Sequence, residues 1–152
     1  MSTRQINSRG LNLIESFEEL RQTGYLPTAA DKPTAGWGHT GPDVVVGQTY
    51  SMAQCVSWLE QDLDWAEDVV SQHVTVPLTD NQFSALVSIC YNIGSGNFDR
   101  STLLKDLDSG DYTDADSQFL LWDKQRGTTL PGLERRRQAE KTLFETPDTE
   151  DS

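Results

Sequence analysis

The chain has 152 residues, with 24 acidic against 12 basic side chains, a formal net charge of −12, 36% hydrophobic and 24% charged residues. This composition suits one soluble globular domain with a core of its own. It excludes nucleic acid as the main ligand, because phosphate binding needs a basic surface, and it opposes electrostatic adsorption to anionic membranes or wall polymers.

No run approaches the roughly 20 apolar residues that span a bilayer, and residues 1–10 lack the apolar segment of a secretory signal. Synthesis in a cytoplasm without membrane insertion is therefore expected. So strong an acidic balance reads as a solvated surface or as adaptation to a salty medium, where screening weakens self-repulsion. Cys55 and Cys90 lie far apart in sequence and are expected as free buried thiols.

In chain order, Ser8 can cap a first helix carrying Leu11, Ile14, Phe17 and Leu20 at helical spacing and ending at Gly24. Residues 25–48 are broken by Pro27, Pro33, Gly36, Gly38, Gly41, Pro42 and Gly47, and predict a small twisted antiparallel sheet that includes Val44-Val45-Val46. Ser51 and Gln54 form a capping box ahead of a long helix, about 51–72, with Met52, Val56, Leu59, Leu63, Ala66 and Val70 on one face and Glu60, Asp64, Glu67 and Asp68 on the other. Thr79 and Gln82 cap a further helix through Phe83, Leu86, Val87 and Cys90 to Gly94, apolar enough to be the central buried helix. Ser101 and Thr113 can cap shorter helices, and Pro131 suits the first turn of the last one. The acidic tail 147–152 is expected to fray.

The chemistry-bearing stretch runs from Glu18 to Thr40. Glu18 sits at the edge of the first helix's apolar stripe; Asp31 and Thr34 follow in a segment of turns. Hydrolysis of a glycosidic bond needs this kind of layout, with a proton donor on one side of the bond and a held water or nucleophile on the other. Taken singly, each residue has a plainer role: a solvated helix charge for Glu18, a turn residue for Asp31, a strand hydroxyl for Thr34. His39 favours packing over proton transfer, and His73 reads as surface. Neither histidine nor cysteine spacing suits a metal, and no cofactor is expected.

Three blocks resemble the phage-type lysozymes of the T4-lysozyme-like muramidase family, glycoside hydrolase family 24. They are Ser16-Phe17-Glu18-Glu19-Leu20-Arg21 with Pro33-Thr34-Ala35-Gly36-Trp37-Gly38-His39-Thr40; Pro77 to Leu104, including Tyr91-Asn92-Ile93-Gly94; and Leu130-Pro131-Gly132-Leu133-Glu134-Arg135-Arg136-Arg137. The resemblance implies an α+β, mainly helical fold in a single domain: a β lobe at about 25–50, a linking helix at about 51–72, and a helical lobe of about 8–24 with 77–146. It implies a monomer acting on bacterial peptidoglycan at the bond between N-acetylmuramic acid and N-acetylglucosamine, reached by holin-type release.

By the same resemblance, the catalytic glutamate falls on Glu18 and the threonine on Thr34. The family's aspartate position holds Pro27, so Asp31, the carboxylate in that interval beyond Glu19, is assigned its role. Glu19 stands where glycine is common and would raise the proton affinity of Glu18. Arg136 would pair with Glu18, although a basic run is also a solvated helix face. Asn92 would bind an N-acetyl group or cap its helix. Trp37 and Trp58 would offer sugar-stacking faces or simply pack. Two alternatives stay open: a lytic transglycosylase, which needs only the glutamate, and a glycan-binding or scaffold domain that does not cut.

Overall fold

A computed structural model describes residues 4–125 and 127–148. Its contacts divide the chain into two compact units. One is Glu15–Asp64; the other combines the described residues before Glu15 with those from Trp65 onward.

The smaller unit holds a three-stranded antiparallel sheet: β1 (Arg21–Tyr25), β2 (Thr34–Gly36) and β3 (His39–Thr40), in the order β1-β2-β3. Arg21 pairs with Gly36, Tyr25 with Thr34, Thr34 with Thr40 and Ala35 with His39. The β2–β3 turn needs glycine, because Gly36 and Gly38 sit at φ 67 and 88. The sheet packs on α2 (Met52–Asp62), which starts at Ser51 as expected, its hydroxyl accepting from Gln54 N at 3.1 Å. Ala35, Val44 and Trp58 form the core of this unit, with Tyr50 against them.

Three expectations need correction here. The first helix, α1 (Ser8–Phe17), ends well before Gly24. Glu18 and Glu19 follow its last turn, where the negative end of the helix dipole disfavours acidic residues, and the next residues enter β1. Its cap is Asn7, whose Oδ1 accepts from Gly10 N at 3.0 Å, rather than Ser8. Val44–Val46 make no strand; Val46 contributes only an isolated parallel bridge to Gly24.

The expected helix 51–72 is two helices, α2 and α3 (Asp64–His73), separated at Leu63. The break is slight: Leu63 keeps φ −80 and ψ −13, and its N–H still reaches Leu59 O at 3.0 Å.

The larger unit is built around α4 (Asp80–Ile93). Phe83 through Cys90 are all buried, each large apolar side chain contributing about 1.5–3 kcal/mol by leaving water. The Thr79–Gln82 capping box forms in full, and Gly94 (φ 92) ends the helix. Gly10 of α1 lies so close to α4 that a Cβ there would meet Ser84 Cβ at 2.7 Å.

Then come α5 (Ser95–Arg100), α6 (Thr102–Asp108), α7 (Tyr112–Gln118), a 3-10 turn (Phe119–Leu121), the short hairpin β4 (Lys124–Gln125) with β5 (Thr128–Thr129), and α8 (Pro131–Glu145). The cap of α7 is Asp111, not Thr113. The tail is described only to Asp148, and as far as that it is held: the Asp148 carboxylate accepts from Asp80 N at 2.7 Å and Asn81 N at 3.0 Å, at the start of α4.

α8 packs along α4 through a buried charged cluster. Glu140 is fully buried, with Arg137 Nε at 2.7 Å, Arg136 Nε at 3.3 Å and Ser88 Oγ at 2.5 Å. Burial pushes the Glu140 carboxyl up, and the two guanidiniums oppose it.

Candidate active site

Glu18 lies one residue beyond α1, half-buried, in the bend that leads into β1. It therefore projects from a helix end rather than from a helix face. Glu19 is turned away: its carboxylate pairs with Arg21 Nε at 3.0 Å and its side chain is 71% exposed. Arg21 in turn lies over the Tyr25 ring at 4.5 Å. The charge of Glu19 is thus paired and solvated.

Asp31 and Thr34 line one open hollow of about 460 Å³, together with Pro27, Ala30, Lys32, Gly38 and Thr40. The sequence has Pro27 where a carboxylate was expected, and the structure puts Pro27 and Asp31 on the walls of the same hollow.

The turn Thr28–Asp31 explains how. Asp31 N donates to Thr28 O at 3.1 Å, and Thr28 Oγ1 donates to Asp31 Oδ2 at 2.9 Å. Thr34 is buried and its hydroxyl donates to Lys32 O at 3.0 Å. With its hydrogen committed, the Thr34 oxygen can meet a water only as an acceptor. Thr28 was not singled out in the sequence; a hydroxyl three residues before an aspartate is the local signal that could have found it.

His39 is part of a buried network instead of a free proton shuttle. Its ring stacks on Trp58 with centroids 4.5 Å apart and planes at 9°. Nδ1 is 2.9 Å from Asp62 Oδ2, and Nε2 is 3.1 Å from Asp43 Oδ1. Trp58 Nε1 donates to Asp43 Oδ2 at 2.9 Å. The hydrogen bond from His39 holds the Asp43 carboxyl below its ordinary range, whereas burial pushes Asp62 up.

Trp58 is 3% and Trp37 7% exposed, so both indoles are packing groups here and neither opens a face to a sugar. Asp43 and Asp62 were missed because their partners are distant in sequence or lie across a turn.

In the larger unit, Asn92 is exposed and its Oδ1 accepts from Arg137 Nη2 at 2.9 Å. It lines a second hollow of about 350 Å³ with Ile93, Asn97, Trp122, Lys124, Gln125 and Leu133. The cap of its helix end is Gly94, so Asn92 is not needed for that. Arg136 is no solvated face residue: it is 3% exposed, with Nη2 3.4 Å from Ser88 O and Nε against Glu140. Among the described residues no group of three or more His, Cys, Asp or Glu is placed to hold a metal.

A small antiparallel sheet and a helical unit around a buried central helix make an α+β, mainly helical fold of the lysozyme type. Comparison with known proteins narrows this. The phage lysozyme family model matches residues 15–140. The chain is 40% identical over 144 residues to the endolysin of Acyrthosiphon pisum secondary endosymbiont phage 1, covering 92% of this chain and 97% of that one. A structure of a P22 lysozyme variant superposes with a TM-score of 0.85 at 38% identity, over 93% of this chain and 99% of that one. The muramidase domain of SpmX from Asticaccaulis excentricus does so with a TM-score of 0.84 at 36% identity, over 95% and 99%. The chain belongs to the phage lysozyme family.

Proposed function

We propose that this protein is a muramidase that hydrolyses the β-1,4 bond between N-acetylmuramic acid and N-acetylglucosamine of bacterial peptidoglycan with inversion. Glu18 is the general acid that protonates the leaving oxygen. Asp31 and Thr34 hold the attacking water and Asp31 takes its proton; an inverting pair of carboxyl groups stands roughly 6.5–9.5 Å apart to make room for that water.

The observation that carries the reading is the shared hollow of Asp31 and Thr34. Thr28 engages Asp31 Oδ2, leaving Oδ1 to accept from a water, and Thr34 offers lone pairs to the same molecule. Asn92 and Arg136 are supporting residues, Asn92 for an N-acetyl group. Residues 1–152 act as one monomeric lysozyme domain. No helix among the described residues is long and apolar enough to cross a membrane, which fits release from the host cytoplasm to the wall.

The test is digestion of purified sacculi with product analysis. Hydrolysis yields reducing muramic ends whose first-formed anomer is inverted. Anhydro-muramoyl ends would replace this reading with a lytic transglycosylase, and binding without turnover with a scaffold. Glu18→Gln should lose at least about 10³-fold in rate with an unchanged circular dichroism spectrum; full activity in that variant would remove Glu18 from the mechanism.

A further inference from the structure

Thr34 sits in a hairpin too short to hold itself. β2 has three residues and β3 two, and so small a pairing is marginal in water without outside support. Its register matters, because Thr34 and Thr40 pair across it and both line the hollow. The support comes from His39, the β3 residue paired with Ala35.

His39 is gripped at both ring nitrogens: Nδ1 by Asp62, the last residue of α2, and Nε2 by Asp43, in the turn after β3. Its ring face rests on Trp58 of α2. Each ring nitrogen thus has a carboxylate at about 3 Å, and the ring cannot turn without losing one of them.

Asp43 does more than close this grip. Its other oxygen receives the indole N–H of Trp58 at 2.9 Å, and its backbone carbonyl accepts from Tyr50 Oη at 3.3 Å. One side chain thus joins β3 to the helix on which Ala35 packs. Its own side chain is 51% exposed, and an isolated surface pair of that kind contributes little to stability. Here the two donors it serves are a buried histidine and a buried tryptophan.

We infer that Asp43 is a positioning residue for hydrolysis, acting through His39 and Trp58 to hold the β2–β3 hairpin in the register that presents Thr34 to the water. This rests on the reading of Thr34 given above. It concerns geometry at the hollow, where a displacement of about 1 Å can cost up to 10²-fold in rate.

Asp43→Asn removes the charge and puts an NH2 donor in place of one acceptor oxygen, so it holds His39 and Trp58 more weakly than the carboxylate does. Its kcat on sacculi should fall about tenfold with KM within twofold of wild type. Asp43→Glu, which keeps both oxygens, should recover several-fold of that loss. In a Thr34→Ala background Asp43→Asn should change kcat by less than about twofold, because the two act as one unit.

A kcat for Asp43→Asn within twofold of wild type would overturn the inference, as would an undiminished tenfold loss in the Thr34→Ala background. Full activity of Thr34→Ala alone would instead remove the role of Thr34; loss in that variant with an intact Asp43→Asn would remove only the role of Asp43.

Discussion

Thr28 Oγ1 lies 2.9 Å from Asp31 Oδ2, within a turn closed by Asp31 N and Thr28 O at 3.1 Å. A carboxylate on an exposed turn is thereby given one orientation, and that turn borders the hollow shared with Thr34. In the proposed mechanism, this orientation by a neighbouring hydroxyl is what would let Asp31 serve in place of a carboxylate at position 27.

The two residues should therefore differ in weight. Asp31→Asn removes the proton acceptor and should lower kcat on sacculi by about 10²–10⁴-fold. Thr28→Val removes only the orienting bond and should cost about three- to tenfold, mostly in kcat, because one neutral hydrogen bond contributes about 0.5–1.5 kcal/mol. Equal losses in the two variants would show that Asp31 is needed for the turn rather than for water.

The cluster at Glu140 should dominate stability. Glu140 is fully buried between Arg136 and Arg137, and Ser88 donates to it. Glu140→Gln removes the carboxylate that Arg137 and Arg136 both contact in the interior and should cost about 3–5 kcal/mol in urea unfolding. Ser88→Ala removes one donor to a charged group and should cost about 1.5–3 kcal/mol. Chevron or equilibrium midpoints for both variants check the order.

A pH dependence follows from Asp116. Burial, and then its hydrogen bond with Glu145, push its carboxyl up to about 6, against a salt bridge from Lys141 at 3.2 Å. Between the ordinary aspartate value of 3.8 and about 6 the folded state therefore holds a proton that the unfolded state has released. Stability through this group falls as pH rises across that window and is level above it. The lowered carboxyl of Glu145, hydrogen-bonded to Asp116, works in the opposite sense below its ordinary range of about 4.5, so the pair titrates jointly. Melting curves from pH 3.5 to 7 should show the decline in the wild type and lose it in Asp116→Asn.

Salt should spare this enzyme. With a net charge of −12, it has no attraction to anionic wall polymers for ions to screen, and added salt relieves its own repulsion. Sacculus clearing should hold steady or rise between about 50 and 500 mM sodium chloride; a steep fall would mean that a local basic patch drives binding.

Much of the helical framework was legible in the chain. The Thr79–Gln82 capping box, the apolar run to Cys90 and Gly94 define α4 because propensity, capping and burial all agree there. Ser51, Ser101 and Pro131 start their helices for the same local reasons. The family blocks pointed to Glu18 and Thr34 because motif spacing is local information, whereas Asp31 was assigned as the carboxylate in the interval between them. Tertiary structure decided what depends on partners far along the chain. Pairing with β2 took residues 21–24 from the expected first helix. Desolvation turned Trp37 and Trp58 from candidate sugar platforms into core, and drew Arg136 and Arg137 from an apparent surface run into a buried ion cluster. Long-range hydrogen bonds chose the partners of His39, because two carboxylates and an indole reach it only after the sheet and α2 have packed.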